Sequence, residues 1–220
     1  MFSEFVKLKN MLNFGKFLNK KIIVLVFVIL ILVGGGIFWW DTNIRKTPTD
    51  KWIGAKMSRG EDYKIKETAN GKFVENEKMG LTFKIPDDWV IENDSPSMFY
   101  TSDMELSEER SDILKKGCRV NVYGGYIKTN LATLEKFMNE DFTKLSSIIK
   151  VDQSSKTELS NYPALRYEYN AESLEMIYIS VNLPFQNKLY KILLSSSVQD
   201  GQRCKAEFDK FLETISINSD

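Results

Sequence analysis

From Ile22 to Trp40 the chain reads as one uninterrupted apolar run, with Lys20 and Lys21 before it and Trp39 and Trp40 closing it. A helix of about 19 residues at about 1.5 Å each covers nearly the whole hydrocarbon core of a bilayer. Beyond Lys72 the pattern changes to short alternations. Leu81, Phe83 and Ile85 alternate with Thr82 and Lys84 and stop at Pro86, which predicts a half-buried strand. Lys72 to Glu75, Trp89 to Ile91, Met98 to Tyr100 and Cys118 to Tyr123 read as further strands. Four more follow at Lys150 to Glu158, Ala164 to Tyr169, Glu175 to Leu183 and Lys188 to Ser196, separated by turn-forming Asn, Pro and Ser residues.

Helical spacing appears twice with an apolar face. Leu131, Leu134, Phe137, Met138, Phe142 and Leu145 predict an amphipathic helix over 131–146 capped by Asn130 or Thr129. Cys204, Phe208, Phe211 and Leu212 predict a terminal helix, followed by an extended Ile215 to Ile217. A shorter helix is expected from Ser107, with Glu108 and Glu109 at its start and Lys115 and Lys116 before Gly117. Tyr123-Gly124-Gly125-Tyr126 reads as a loop or bulge. The fold class is therefore α+β: an antiparallel sheet of about six to seven strands with two main helices, preceded by one transmembrane helix. The expected organisation is a basic tail over 1–21, a membrane span over 22–40, a stalk over 41–71 and the folded domain over 72–217.

Charge orients the span. Five lysines and one glutamate precede it, whereas Asp41, Arg45, Lys46 and Asp50 balance just after it. The positive-inside bias puts the N-terminus in the cytoplasm and residues 41–220 outside, with the lipid bilayer as the partner of Ile22 to Trp40. The competing reading is a cleaved signal segment, with Gly34 and Gly36 as the small residues near the cut. The run resumes at Ile37 to Trp40, which favours an uncleaved anchor.

Composition narrows the chemistry. Removing the five basic and one acidic residues of 1–40 from totals of 30 and 30 leaves 25 against 29, a net charge of −4. A mildly acidic ectodomain argues against a nucleic-acid partner. There is no histidine, so Ser-His-Asp and Cys-His catalysis, His-ligated zinc and the usual pH switch are excluded. Cys118 and Cys204 are the only cysteines. Two readings stay open for them: a disulfide in an oxidising compartment, or two buried small hydrophobes. Ser147 and Lys150 fit Ser-x-x-Lys without the partner motifs that a serine nucleophile of that kind needs. Asp87 and Asp88, with Glu92 or Asp94, are an oxygen-rich turn without the Asp-x-Asp-x-Asp-Gly pattern of a calcium loop. No cofactor, metal or catalytic residue is expected. Tyr123, Tyr126, Tyr162, Tyr167, Tyr169, Tyr178 and Tyr190 cluster on strands and suggest a tyrosine-lined binding face, with Tyr126 and Tyr162 as its first candidates.

The order Gly80-Leu81-Thr82-Phe83-Lys84-Ile85-Pro86-Asp87-Asp88-Trp89 is similar to the opening strand and turn of PsbP-like domains. The strand entry at Asn161 to Tyr167, the Leu189-Tyr190-Lys191-Ile192 strand and the Phe-rich final helix follow in the same order, over about residues 72–217. The resemblance implies a fold and an accessory role; it implies no catalytic residues. The expectation is a membrane-anchored, extracytoplasmic, non-enzymatic binding or accessory domain acting on a protein or cell-envelope partner. The alternatives are an envelope hydrolase using carboxylates or a Ser-Lys pair, and a structural subunit recruited through its transmembrane helix.

Overall fold

Alternation along the chain becomes strand pairing almost everywhere it was read. The computed structural model describes residues 56–92 and 95–218. Its strands are β1 (Lys56–Met57), β2 (Lys64–Thr68), β3 (Gly71–Asn76), β4 (Leu81–Lys84), β5 (Trp89–Glu92), β6 (Ser95–Thr101), β7 (Glu105–Leu106), β8 (Leu114–Lys116) and β9 (Cys118–Tyr126). After helix α1 (Leu131–Lys144) come β10 (Lys150–Leu159), β11 (Tyr162–Ala171), β12 (Met176–Phe185) and β13 (Lys188–Ser197), then helix α2 (Gly201–Leu212) and β14 (Ser216–Ile217). The main sheet runs in the order β10-β11-β12-β13-β9-β6-β5, all antiparallel, and β1 pairs with the end of β9. A second sheet has the order β14-β4-β3-β2, and β7 pairs with β8. The α+β class with two helices is as expected; the strand of Leu81 to Lys84 belongs to the second sheet instead of the central one.

Each face of the main sheet carries one helix. On the near face, Val120, Val122, Ile179, Val181, Tyr190, Ile192 and Leu194 meet α2 and the second sheet in one buried core. Phe99 and Phe211 pack edge to face at 5.0 Å, and Phe83 lies 5.7 Å from Phe211, joining both sheets to α2 through aromatic contacts. A disulfide links Cys118 of β9 to Cys204 of α2, with both residues fully buried and Cα atoms 5.6 Å apart. On the far face, α1 seats Leu134 against Leu165, Tyr167 and Leu189 in a separate small cluster. Asn130 caps α1, its Oδ1 accepting from the Thr133 N–H at 2.9 Å.

Three expectations change. The helix over Ser107 to Lys116 is instead the β7–β8 hairpin, closed by Ser107 N–H donating to the Ile113 carbonyl. The end charges suited a helix, but the segment has no apolar stripe to bury and is too short to be helical without one. Leu114 alone turns inward, and Gly117 leaves the hairpin at φ 84°. The folded unit also starts before Lys72: β2 pairs with β3 from Lys64 to Thr68, and β1 with β9. β2 escaped notice because all five of its residues are exposed and its composition is that of a linker. Finally, Tyr123 to Tyr126 is no loop but the continuation of β9. The expected basic tail, the span Ile22–Trp40 and residues 41–55 lie outside the described residues, as does Asp94. Among the described residues no helix is long and apolar enough to cross a membrane.

Candidate binding surface

The two tyrosines singled out from sequence stand on the near face at one end of the sheet, with two strands between them. Tyr126 on β9 is opposite Lys188 of β13, which is opposite Phe185 of β12. Tyr162 on β11 stacks on Phe185 with ring centroids 4.0 Å apart. Their row holds a one-turn helix, Glu77–Met79, in place. Tyr126 Oη donates to the Lys78 carbonyl at 3.0 Å, Tyr190 Oη to the Met79 carbonyl at 2.6 Å, and Lys188 Nζ reaches the same oxygen at 3.4 Å. Tyr126 is thus engaged in holding this turn to the sheet, although it is 44% exposed, while Tyr162 packs on its neighbour within the main sheet.

The Ser147 and Lys150 pair lies at the C-terminal end of α1, where both line an open groove of about 740 Å³ with Phe142, Ile148 and Glu172. No hydrogen bond joins the serine to the lysine. Asp87 faces solvent and pairs with Lys84 Nζ at 3.7 Å. Asp88 borders a groove of about 330 Å³ shared with Trp89, Glu207 and Phe211. Burial holds the Glu207 carboxyl above its ordinary range, with Asp88 a smaller cause of the same sign. No group of three or more metal-ligating side chains occurs among the described residues.

The far face of the main sheet carries the more unusual chemistry. α1 covers its β11 side through Leu165, Tyr167 and Tyr169, and reaches Leu189 at one end of β13. Across β12, β13, β9 and β6 the pairing register lays out three rows on this face. Asn182 stands opposite Lys191, and Lys191 opposite Tyr123. Ser180 stands opposite Leu193, then Asn121, then Met98. Tyr178 stands opposite Ser195, then Arg119, then Tyr100. Tyr100, Arg119, Tyr123, Tyr178, Lys191 and Leu193 are part-exposed, while Asn121, Ser180 and Asn182 form a buried polar floor between them.

Asn182 Nδ2 donates to Ser180 Oγ at 3.2 Å, but Lys191, Asn121 and Arg119 are incompletely satisfied. Burial alone pushes the Lys191 ammonium below the usual lysine range, and no carboxylate among the described residues pairs with it. Asn121 is 5% exposed and its Oδ1 has no hydrogen-bond donor; Arg119 Nε is likewise buried and unpartnered. Arg119 is tied only by its other end, Nη2 to the Asp112 carbonyl at 3.5 Å. Burial raises the Tyr123 and Tyr178 hydroxyls, so both rings carry neutral donors. Each orphaned buried polar group costs about 1–3 kcal/mol. Sequence reading named Tyr123 and Tyr178 but missed Arg119, Asn121 and Lys191. Arg, Asn and Lys are ordinary at solvated strand positions, so only the pairing register brings these three together.

No family model matches the chain, and no curated protein matches it. Solved structures do. Cyanobacterial PsbP from Synechocystis sp. PCC 6803 is 14% identical with a TM-score of 0.42, covering 71% of this chain and 93% of that one. LpqN of Mycobacterium tuberculosis, described as involved in cell envelope biogenesis, is 10% identical with a TM-score of 0.46 over 79% and 98%. The Ran-binding protein Mog1p of Saccharomyces cerevisiae is 10% identical with a TM-score of 0.39 over 70% and 96%. At these scores the likenesses assign neither a ligand nor a role to any residue of this chain.

Proposed function

We propose that this chain is a membrane-anchored accessory protein whose folded unit faces the extracytoplasmic side and binds an envelope component without catalysing a reaction on it. One observation carries the reading: the far sheet face, with its tyrosines, its two cations and its buried polar floor. Such a surface is costly to fold and is suited to a ligand that brings a counter-charge to Lys191. The buried Cys118–Cys204 disulfide supports the compartment, since stable structural disulfides belong to oxidising surroundings. The apolar run from Ile22 to Trp40 and the lysines before it support the attachment and its sidedness. The lack of histidine supports a binding role over catalysis.

Two measurements test it. A thiol reagent that cannot cross the membrane is expected to label an introduced cysteine at Thr49 in intact cells and to spare one at Ser3; the reverse pattern overturns the topology. Crosslinking and capture from the protein's own membrane is expected to retain envelope material with the intact chain and to lose it with Lys191→Met and Tyr123→Ala. Capture indifferent to both changes removes the far face from the function.

A further inference from the structure

Resting on the reading of the far face as a binding surface, we infer that its ligand is an anionic glycan: an extended saccharide carrying carboxylate or phosphate groups. Charge comes first. The three rows hold Lys191 and Arg119 and no acidic side chain of their own, inside a folded unit whose overall balance is acidic. The Asp112 carboxylate of the β7–β8 hairpin lies beside Arg119, whereas Lys191 has no acid near it. A positive strip against an acidic background selects an anion. Lys191 is desolvated without a carboxylate nearby, so an incoming anion finds a cation already stripped of much of its water.

Geometry fixes the size. Lys191 stands opposite Tyr123, and Arg119 is four residues along the same strand, about 14 Å away at about 3.4 Å per residue. A single compact anion sits on one cation or the other; a ligand that engages both is extended and carries charge on separate units. Between the cations lie Asn121 and Leu193, and Tyr123, Tyr178 and Tyr100 flank them.

The remaining chemistry favours a sugar over a peptide. Strand addition needs a sheet edge, whereas these residues occupy the middle of a sheet whose strands are paired on both sides. A side-chain groove for a peptide needs apolar pockets, and here the floor is Asn121, Ser180 and Asn182. A pyranose ring offers a flat C–H face for tyrosine rings and hydroxyls for amides and serines.

The test is titration calorimetry of the full-length chain in detergent with oligogalacturonate, a neutral dextran oligomer and a polyphosphate of matched length. Oligogalacturonate is expected to bind, and Lys191→Met, Arg119→Gln and Tyr123→Ala each to weaken it at least tenfold. The Lys191→Met protein is expected to unfold at a higher denaturant concentration than the parent, which separates lost affinity from lost structure. No binding of oligogalacturonate overturns the inference, as does equal binding of dextran. Polyphosphate binding that matches oligogalacturonate and ignores Tyr123→Ala overturns the saccharide part. Envelope capture that still depends on Lys191 while no oligogalacturonate binds sinks the ligand class alone; capture and titration both indifferent to Lys191 sink the binding face as well.

Discussion

Met79 occupies the space that a side chain at Gly124 would need. A Cβ at position 124 would stand 2.9 Å from Met79 Cγ and 3.0 Å from its Cε, and Met79 is fully buried. This is why β9 carries a glycine pair in mid-strand: the one-turn helix at Glu77–Met79 leans on the sheet there, fastened by the Tyr126 and Tyr190 hydroxyls. Gly124→Ala is expected to lose about 1–3 kcal/mol in urea unfolding, the usual cost of overpacking. Gly124→Ala combined with Met79→Ala should lose less than the two single changes added together. Additive losses would mean the contact is unimportant.

The disulfide spans 86 residues of sequence. Replacing both Cys118 and Cys204 by alanine is expected to cost about 2–4 kcal/mol. Reductant should lower the unfolding midpoint of the parent and leave that of the double variant unmoved. A parent indifferent to reductant under unfolding conditions would show that the cross-link adds nothing.

Arg166 holds α2 to the sheet. Its guanidinium forks between Glu168 at 2.9 Å and Asp209 at 2.6 Å, and Lys205 meets the other Glu168 oxygen at 2.7 Å. Arg166 and Glu168 are largely buried, so Arg166→Ala removes two charge-assisted bonds and leaves Glu168 with Lys205 alone, at an expected cost of about 1.5–3 kcal/mol. Arg166→Lys should recover only part of this, because an ammonium does not fork between two acids. Full recovery would assign the role to charge alone.

Asp200 gives the pH dependence a definite sign. The Gly117 N–H donates to its Oδ2 at 2.7 Å, and Arg203 and Ser197 add further bonds, which hold the carboxyl below its ordinary value. A depressed folded value stabilises the protein above the unfolded value near 3.8 and loses that contribution as pH falls through the folded one. Asp200→Asn should therefore cost about 1.5–3 kcal/mol at pH 7 and progressively less toward pH 2, where the two proteins converge. Glu207 works in the opposite sense: its value is raised, so it destabilises as pH rises through that value, and Glu207→Gln should flatten the decline. A parallel offset between parent and Asp200→Asn at all pH values would dismiss the ionic account.

Much of the sheet was legible because its apolar positions keep a period of two. β9 through Val122, β12 and β13 present one continuous apolar face to the core, β11 turns Leu165, Tyr167 and Tyr169 to α1, and α1 and α2 present the 3.6 period with a cap or a cysteine–phenylalanine stripe. What was not legible depends on partners far away in sequence. β2 is recognisable only from β3 beside it, and the Ser107 to Lys116 hairpin only from Leu114 reaching the far end of the sheet. Gly124 reads as a loop until Met79 is placed against it. The candidate surface was half visible, since tyrosines stand out by type. Lys191 and Arg119 look like ordinary polar positions until the register shows them sharing one face, Lys191 with no carboxylate beside it.

The cross-link between β9 and α2 encloses α1 and strands β10 to β13 within a closed ring of chain. A protease that cuts once inside that ring, for instance at the exposed Gln186–Asn187 turn, yields two fragments that stay covalently joined until a reductant releases them. Outside a cell, where proteases are common and reductants scarce, such a protein survives nicking as a single body, and the rows of its far face keep their alignment.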